Sequence, residues 1–378
     1  VDPAISQRWA RASAKVLERS APLSELPIDP SVAPVAESGG YEAAQRTLRR
    51  FLDDRLDRYG AERNDPDAHV ASELSGYLHF GHISSHQILD AVARRQDWSP
   101  WKLSDDTGGK RRGWWNLDES LESFLDELVT WREVGYNFCF NRPDYADFDS
   151  LPNWARETLE VHRPDARPQI YSLEQFERAG THDEIWNAAQ TELVSRGRIH
   201  NYLRMLWGKK ILHWSSSPRE ALDIMIELNN KYAIDGRNPN SYSGIFWVLG
   251  RFDRAWGPER EIFGKVRYMS SMNTRRKLKL DGYRDRWGAQ LDRGTCSLYP
   301  PALRGELRAA KRGELQRVEV LCGSRMKPVA GGSGKEWKSL TRCRPCREDR
   351  PAVGAPGRWK CYGNCHDGSG VKFSPGLQ

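Results

Sequence analysis

WNAAQTELVSRGRIHNYLRMLWGKKILHW, residues 186–214, and ELNNKYAIDGRNPNSYSGIFW, residues 227–247, are the runs that decide how this chain folds. Helical periodicity runs through both, and only a short turn separates them. Together they hold four of the 15 tryptophans, Trp186, Trp207, Trp214 and Trp247. They also carry Asn187, Gln190, Asn201, Arg204, Asn229 and Asp235, polar residues where a plain helical core would have aliphatics. Trp207 and Trp214 are seven residues apart, which on a helix is two turns, one face and roughly 10 Å of rise. Rings at that spacing beside a redox cofactor pass an electron by short hops. Taken singly, each tryptophan reads as core packing; the cluster is the signal.

Working outward toward the N-terminus, a long helix is expected over LDESLESFLDELVTWREVGYNFCF, residues 117–140. Ahead of it, LSGYLHFGHISSHQILDAVARR contains a helix that Ser84 or Ser85 is placed to cap. From Tyr41 to Tyr59, Leu48, Phe51, Leu52 and Leu56 recur at helical spacing. Residues 6–20 also read as a helix, followed by the Pro- and Gly-punctuated linker LPIDPSVAPVAESGG. The expected organisation is therefore residues 1–40 as helix and linker, 41–288 as a mostly α catalytic body, and 289–378 as a tail. No GxGxxG follows a strand and no Walker motif occurs, which removes the Rossmann and P-loop readings of a nucleotide site. The tail is Arg-, Gly- and Pro-rich without periodicity and holds six of the seven cysteines. Cys343, Cys346, Cys361 and Cys365, with His366 adjacent, have zinc-like spacing. The segment lacks the apolar minimum even a zinc ribbon uses, so an irregular, disordered tail without metal is the expectation.

Composition sets the remaining bounds. A length of 378 residues is enough for a sizeable core. Mean hydropathy is −0.73, low for a compact enzyme. No run approaches the roughly 18 apolar residues of a membrane span, and VDPAISQRWARAS has no apolar region of a secretory signal. Cysteine usage fits a reducing cytoplasm. The net charge of +7 and pI near 9.0 point mildly to a polyanionic partner.

Six blocks in one order then carry a resemblance: ASELSGYLHFGHIS (71–84), SFLDELVTWREVGYNFC (123–139), WNAAQ (186–190), RIHNYLRMLWGKKILHW (198–214), LNNKYAIDGRNPNSYSGIFW (228–247) and FGKVRYMS (263–270). From about Tyr41 to Trp287 the chain resembles the helical FAD-binding catalytic domain of class II cyclobutane pyrimidine dimer photolyases, in the photolyase/cryptochrome family. The family's N-terminal α/β antenna domain would precede residue 1 and is expected to be absent. The resemblance implies a monomeric cytoplasmic DNA repair lyase in which excited FADH⁻ donates an electron to a flipped-out pyrimidine dimer and recovers it.

It also implies roles for particular residues. Ser72, Leu74 and Ser75 would hold the flavin pyrophosphate, hydroxyls and backbone N–H groups meeting the anion at a helix start. The family often has Thr at Ala71 and Pro at Gly76, so Ala71 lacks one hydroxyl contact. Tyr59 would touch the flavin, as would Arg204, and Asn229 would face its N5. Asp235 and Gly236 would lie at the ribityl chain and ring edge. Glu127 would hydrogen-bond the dimer, with Trp131 and Trp247 walling the lesion pocket. Trp207, Trp186 and Trp214 would carry electrons from the surface to the flavin. Arg267 and Lys265 would contact DNA, with Arg275, Arg276 and Lys277 adding charge. Each has a plainer reading: a helix cap for the serines, a salt bridge for Arg204, a turn for Asp235–Gly236, an exposed carboxylate for Glu127.

A cryptochrome-like photoreceptor or DNA-binding flavoprotein without repair activity is the alternative. Glu127, Trp131 and Trp247 together argue for repair. A (6-4) photolyase fits less well, since His79, His82 and His86 fall in another block. A non-functional fragment is the third reading.

Overall fold

A computed structural model of the chain describes residues 3–8, 13–18, 28–29, 31–105 and 113–288, and four short strands further on. Two compact units divide it, Val1–Leu291 and Asp292–Gln378. The first is mostly α, as its periodicity predicts. It opens with α1 (Pro3–Arg8) and α2 (Ala14–Leu17), so the helix expected over 6–20 is two short ones, α2 being capped by Ser13. The linker leads to α3 (Tyr41–Asp54) and α4 (Leu56–Glu62). A single helix to Tyr59 was expected here. Instead the chain leaves helical geometry at Arg55, whose guanidinium bonds the Ala71 carbonyl and Glu73.

The short α5 (Ser75–His79) and α6 (Ser85–Arg95) follow, and it is Ser84 that caps α6, its hydroxyl accepting from the Gln87 N–H at 3.1 Å. Asp118 caps α7 (Glu119–Leu125) in the same way. The long helix expected from there to Phe140 is continuous but not uniform. Residues Asp126–Trp131 form a π-helical segment before α8 (Arg132–Asn141) resumes. Then come α9 (Asn153–Val161), α10 (Leu173–Glu177) with a capping box from Ser172 and Gln175, and α11 (Glu184–Arg196) capped by Asp183. Gly197, at φ +65°, ends α11, where a Cβ would come within 2.5 Å of Ile234.

The two runs first quoted fold as α11, α12 (Asn201–Trp214), α13 (Pro218–Tyr232) and α14 (Pro239–Val248), the last two begun by Pro behind Ser217 and Asn238 caps. Two small helices, α15 (Ser271–Lys277) and α16 (Asp281–Trp287), finish the body. The larger core gathers α11–α14 around Trp186, Trp207, Trp214, Phe176 and Phe246. A smaller core packs Phe51, Tyr59 and Phe124 from α3, α4 and α7, with ring centroids 4.6–5.8 Å apart. Full burial of such rings contributes about 2–3 kcal/mol each.

In the second unit, β1 (Met326–Pro328) pairs antiparallel with β2 (Trp337–Ser339), and β3 (Lys360–Tyr362) with β4 (Lys372–Ser374). These two short pairs are what is described of the segment expected to be an irregular tail. The remaining expectations for the tail, disorder and the rejected zinc site, lie outside the described residues. Among the described residues no helix is long and apolar enough to cross a membrane.

Candidate functional site

A cavity of about 890 Å³ opens between the two cores of the first unit. Tyr59, Ser72, Leu74, Ser75, Glu127, Trp131, Arg204, Asp235, Trp247 and Arg267 all line it. Residues as far apart as 59 and 267 are thus brought to one wall system. Asn229, Gly236, Lys265, Trp186, Trp207 and Trp214 are not on that wall.

At one end, Trp131 and Trp247 meet edge to face with centroids 4.6 Å apart. Trp131 comes from the π segment, which inserts an extra residue into the helix; such insertions mark functional sites. Its indole N–H donates to Asp126 at 3.0 Å, fixing the ring from the same segment. Glu127 lies beside it, bound by Arg63 at 2.7 Å. Burial pushes the Glu127 carboxyl above its usual range and Asp126 adds to this, while Arg63 opposes both. Arg63 also sits 5.8 Å from the centre of the Tyr59 ring. Burial, reinforced by Glu127, pushes the Tyr59 hydroxyl up to about 12, so it stays a neutral donor.

The ASELS stretch builds another part of the cavity. Ser72 Oγ accepts weakly from the Leu74 N–H at 3.4 Å, and Ser75 begins α5. That helix has only five residues, so its dipole is a small term at this wall. Positive charge comes instead from three arginines gathered on Glu73, a residue at φ +60°. Arg55, Arg196 and Arg198 stand 3.1, 3.4 and 3.6 Å from its carboxylate. Burial alone would raise that carboxyl, but Arg198, Arg55 and Arg196 outweigh it and hold it low. Gly76 is close-packed, where a Cβ would lie 2.8 Å from Ile234.

Arg204, in the second turn of α12, points into the cavity half-buried, and its guanidinium has no hydrogen bond or ion pair among the described residues. His200 before it is driven down to about 4, chiefly by burial, and its Nδ1 has no partner. The cavity thus holds a free cation and a neutral imidazole donor or acceptor. Asn229 is 3 % exposed on α13, and its amide donates to Asn230 at 3.4 Å. Gly236 packs against the end of α13, where a Cβ would meet the Ala233 and Asn229 carbonyls at 2.9 and 3.0 Å. Its smallness therefore serves backbone packing.

The three interior tryptophans form a ladder. The Trp186 indole donates to the Trp207 carbonyl at 3.0 Å, and Trp207 donates to Gln190 at 2.8 Å. Trp186 and Trp214 meet at 6.2 Å. A ladder reaching the surface was expected, yet Trp214 is 1 % exposed. It is covered by Tyr171, Lys210 and His182, and only His182 of these reaches solvent freely. Lys265 is exposed and pairs with Glu259 at 3.2 Å, while Arg267 lies over Trp256 and faces Asp253 at 3.4 Å.

Arg63, Asp126, Glu73, Tyr283 and Arg286 line the cavity without having been singled out from the sequence. Only Arg63 carried a readable signal, four residues after Tyr59 on one helix face.

No family model matches the chain. Deoxyribodipyrimidine photo-lyases do match it. That of Methanothermobacter thermautotrophicus is 41% identical over 254 residues, 67% of this chain and 52% of the relative. That of Oryza sativa subsp. japonica is 42% identical over 249 residues, covering 65% and 46%. The Potorous tridactylus protein is 39% identical over 254 residues, covering 67% and 44%. The chain therefore spans about half the length of the curated relatives it matches. Among solved structures, a bacterial class III photolyase from Agrobacterium tumefaciens superposes with a TM-score of 0.51 at 21% identity, over 71% of this chain and 50% of the other. A Synechocystis cryptochrome gives 0.50 at 19%, over 76% and 55%. At those identities the likeness is one of fold.

Proposed function

The chain belongs to the photolyase/cryptochrome family, and from that premise we propose that it binds FAD and repairs cyclobutane pyrimidine dimers in DNA by light, as class II photolyases do. The observation that carries this reading is the Trp131–Trp247 pair beside Glu127 on the same cavity as the unpartnered Arg204. A light sensor has no use for an aromatic pair next to a half-buried carboxyl. The cavity volume lies at the upper end of small-molecule sites, roughly 300–1,000 Å³. The free guanidinium of Arg204 and the arginines around Glu73 supply donors for a ligand that is anionic and heteroaromatic, so the residues fit FAD.

Held there, reduced FAD would supply the photochemistry for opening the cyclobutane ring, an electron lent and returned with no net redox change. The protein's part is binding and placement. Trp131 and Trp247 stack on the extruded pair, returning about 1–3 kcal/mol per base of the stacking lost on flipping. Glu127, whose carboxyl burial makes easier to protonate, donates to a pyrimidine carbonyl that gains electron density. Arg204 places positive charge against the flavin, and the tryptophan ladder delivers reducing electrons from outside. Arg267 and Lys265, with α15 beyond them, neutralise phosphates as a monomer in the cytoplasm docks on DNA.

The test is an absorption spectrum of the purified full chain before and after blue light with a thiol reductant, then with dimer-containing oligothymidine under near-UV. A bleached oxidised-flavin band followed by recovered thymine absorbance is the expected result. Photoreduction without recovery would make the protein a cryptochrome-like sensor, and a colourless protein would remove the cofactor from the reading.

A further inference from the structure

Lys209 is the one lysine in the described body with no solvent exposure at all. It lies in the middle of α12, next to Gly208, where α12 and α14 approach so closely that a Cβ would sit 2.5 Å from Val248. Its ammonium donates to the carbonyl of Val248, the last residue of α14. That carbonyl is one of the four that a helix leaves without an internal donor at its C-terminus, and it receives no backbone donor here. A cation there also complements the negative end of the helix dipole. Trp247, the residue before Val248, carries the ring that meets Trp131.

The turn that follows makes this anchor matter. Gly250 and Phe252 both have positive φ, at +110° and +63°, so α14 stops abruptly and the chain doubles back. Asp253 accepts from the Trp256 indole at 3.2 Å and faces Arg267 at 3.4 Å. Asp253 and Arg267 are also the charged groups that act on Lys209. Asp253 thus lies electrostatically between the buried Lys209 at the end of α14 and the part-exposed Arg267 on the cavity rim. An apolar side chain would fill the Lys209 position at far lower desolvation cost, which makes a purely structural role a poor explanation.

We infer that Lys209 is a positioning residue for the aromatic pair: by capping α14 it holds Trp247 edge to face against Trp131 on the cavity wall. This rests on the proposed repair function, since the pair's ligand is taken from it. The role of Lys209 in setting the geometry of the two rings does not.

Lys209→Met and Lys209→Gln test it in the full chain, Gln keeping a neutral donor and Met none. Two readouts are compared with the parent: affinity for fluorescein-labelled oligothymidine with one cyclobutane dimer against the same strand undamaged, and the near-UV circular dichroism contributed by the ring pair, identified by difference with Trp131→Phe. K209M is expected to lose about tenfold of the dimer preference, keep its affinity for undamaged strand and lose the pair's signal; K209Q restores both in part. A K209M protein with the parent's preference and the parent's pair signal would overturn the inference. If neither variant folds, Lys209→Leu, which also removes the donor while filling the apolar site, is read by the same two measures. Loss of the pair signal together with the dimer preference supports the role, and the parent's values for both overturn it. Should the parent show no dimer preference, the repair reading fails, and the pair signal in K209M still decides for or against Lys209.

Discussion

Glu127 keeps 37 % of its side chain exposed while Lys209 has no exposure, and the two surroundings make opposite predictions. Glu127 is held at 2.7 Å by Arg63, so removing its charge frees an arginine that can still reach solvent. Glu127→Gln should therefore fold normally and keep its flavin. It should lose the charge-assisted or protonated hydrogen bond to the dimer, worth about 1.5–3 kcal/mol, and repair should slow about ten- to a hundredfold at saturating light. An E127Q protein repairing at the parent's rate would remove Glu127 from the chemistry. Lys209 has no solvent to fall back on. Burial, aided by Arg267 and opposed by Asp253, brings its ammonium from 10.5 down to about 7. Below pH about 7 both folded and unfolded chains hold the proton, and the full cost of burying the charge is present. Between about 7 and 10.5 only the unfolded chain holds it, so this site makes stability rise with pH. At about 1.4 kcal/mol per pH unit, the difference in urea midpoints between K209M and the parent should be largest near pH 6 and shrink toward pH 9. K209M should be the more stable at the acid end, and a constant difference across that range would refute the buried charge.

At the scale of elements, the helices were legible because their apolar residues recur at helical spacing, and Ser84 was legible as a cap from its place before an apolar run. The π segment was not, because a six-residue change of helical pitch leaves no trace in periodicity. The start of α5 was legible in ASELS, but its end after one and a half turns was not read, although Gly81 at φ +67° follows two residues on. Asn229 is a case of depth. Polarity in an apolar run flagged it, but polarity does not say whether a side chain faces a cavity or the packed end of a helix. Deleting Thr130 should return residues 126–131 to α-helical pitch while leaving α7 and α8 in place, since a π-bulge is a one-residue insertion. The melting temperature should change little, and dimer binding should be lost because Trp131 is no longer held by Asp126. Gly264 tests the neighbouring segment. It has φ +50°, and a Cβ would lie 2.0 Å from the Thr158 hydroxyl and 2.7 Å from His162. Gly264→Ala should cost more than about 2 kcal/mol, read as a fall of at least about 4 °C in melting temperature at about 2–4 °C per kcal/mol. It should also weaken DNA binding by disturbing Lys265 and Arg267.

Across the whole molecule, the tryptophan cluster that first marked the chain is legible in composition, but its direction is not. Seven-residue spacing suggested that Trp207 and Trp214 were consecutive steps on one helix. The folded chain instead sets Trp186, from α11, against both: its indole bonds the Trp207 carbonyl and its ring meets Trp214. All three are at most 2 % exposed, so a soluble thiol cannot touch any of them. On the proposed relay an electron would enter past Trp214, which the Lys210 ammonium covers at 4.9 Å and exposed His182 meets at 5.0 Å. Trp186 would then be the step between Trp214 and Trp207. Trp186→Phe should keep flavin, because the residue is remote from the cavity wall, and should keep repair once the flavin has been reduced with dithionite in the dark. Light-driven bleaching of the oxidised-flavin band with thiol should fall by at least about tenfold. Loss of both activities together would mean that the substitution damaged the core rather than the relay. Bleaching at the parent's rate would mean that electrons enter by another route, and the cluster would return to being what each tryptophan is singly, part of the core.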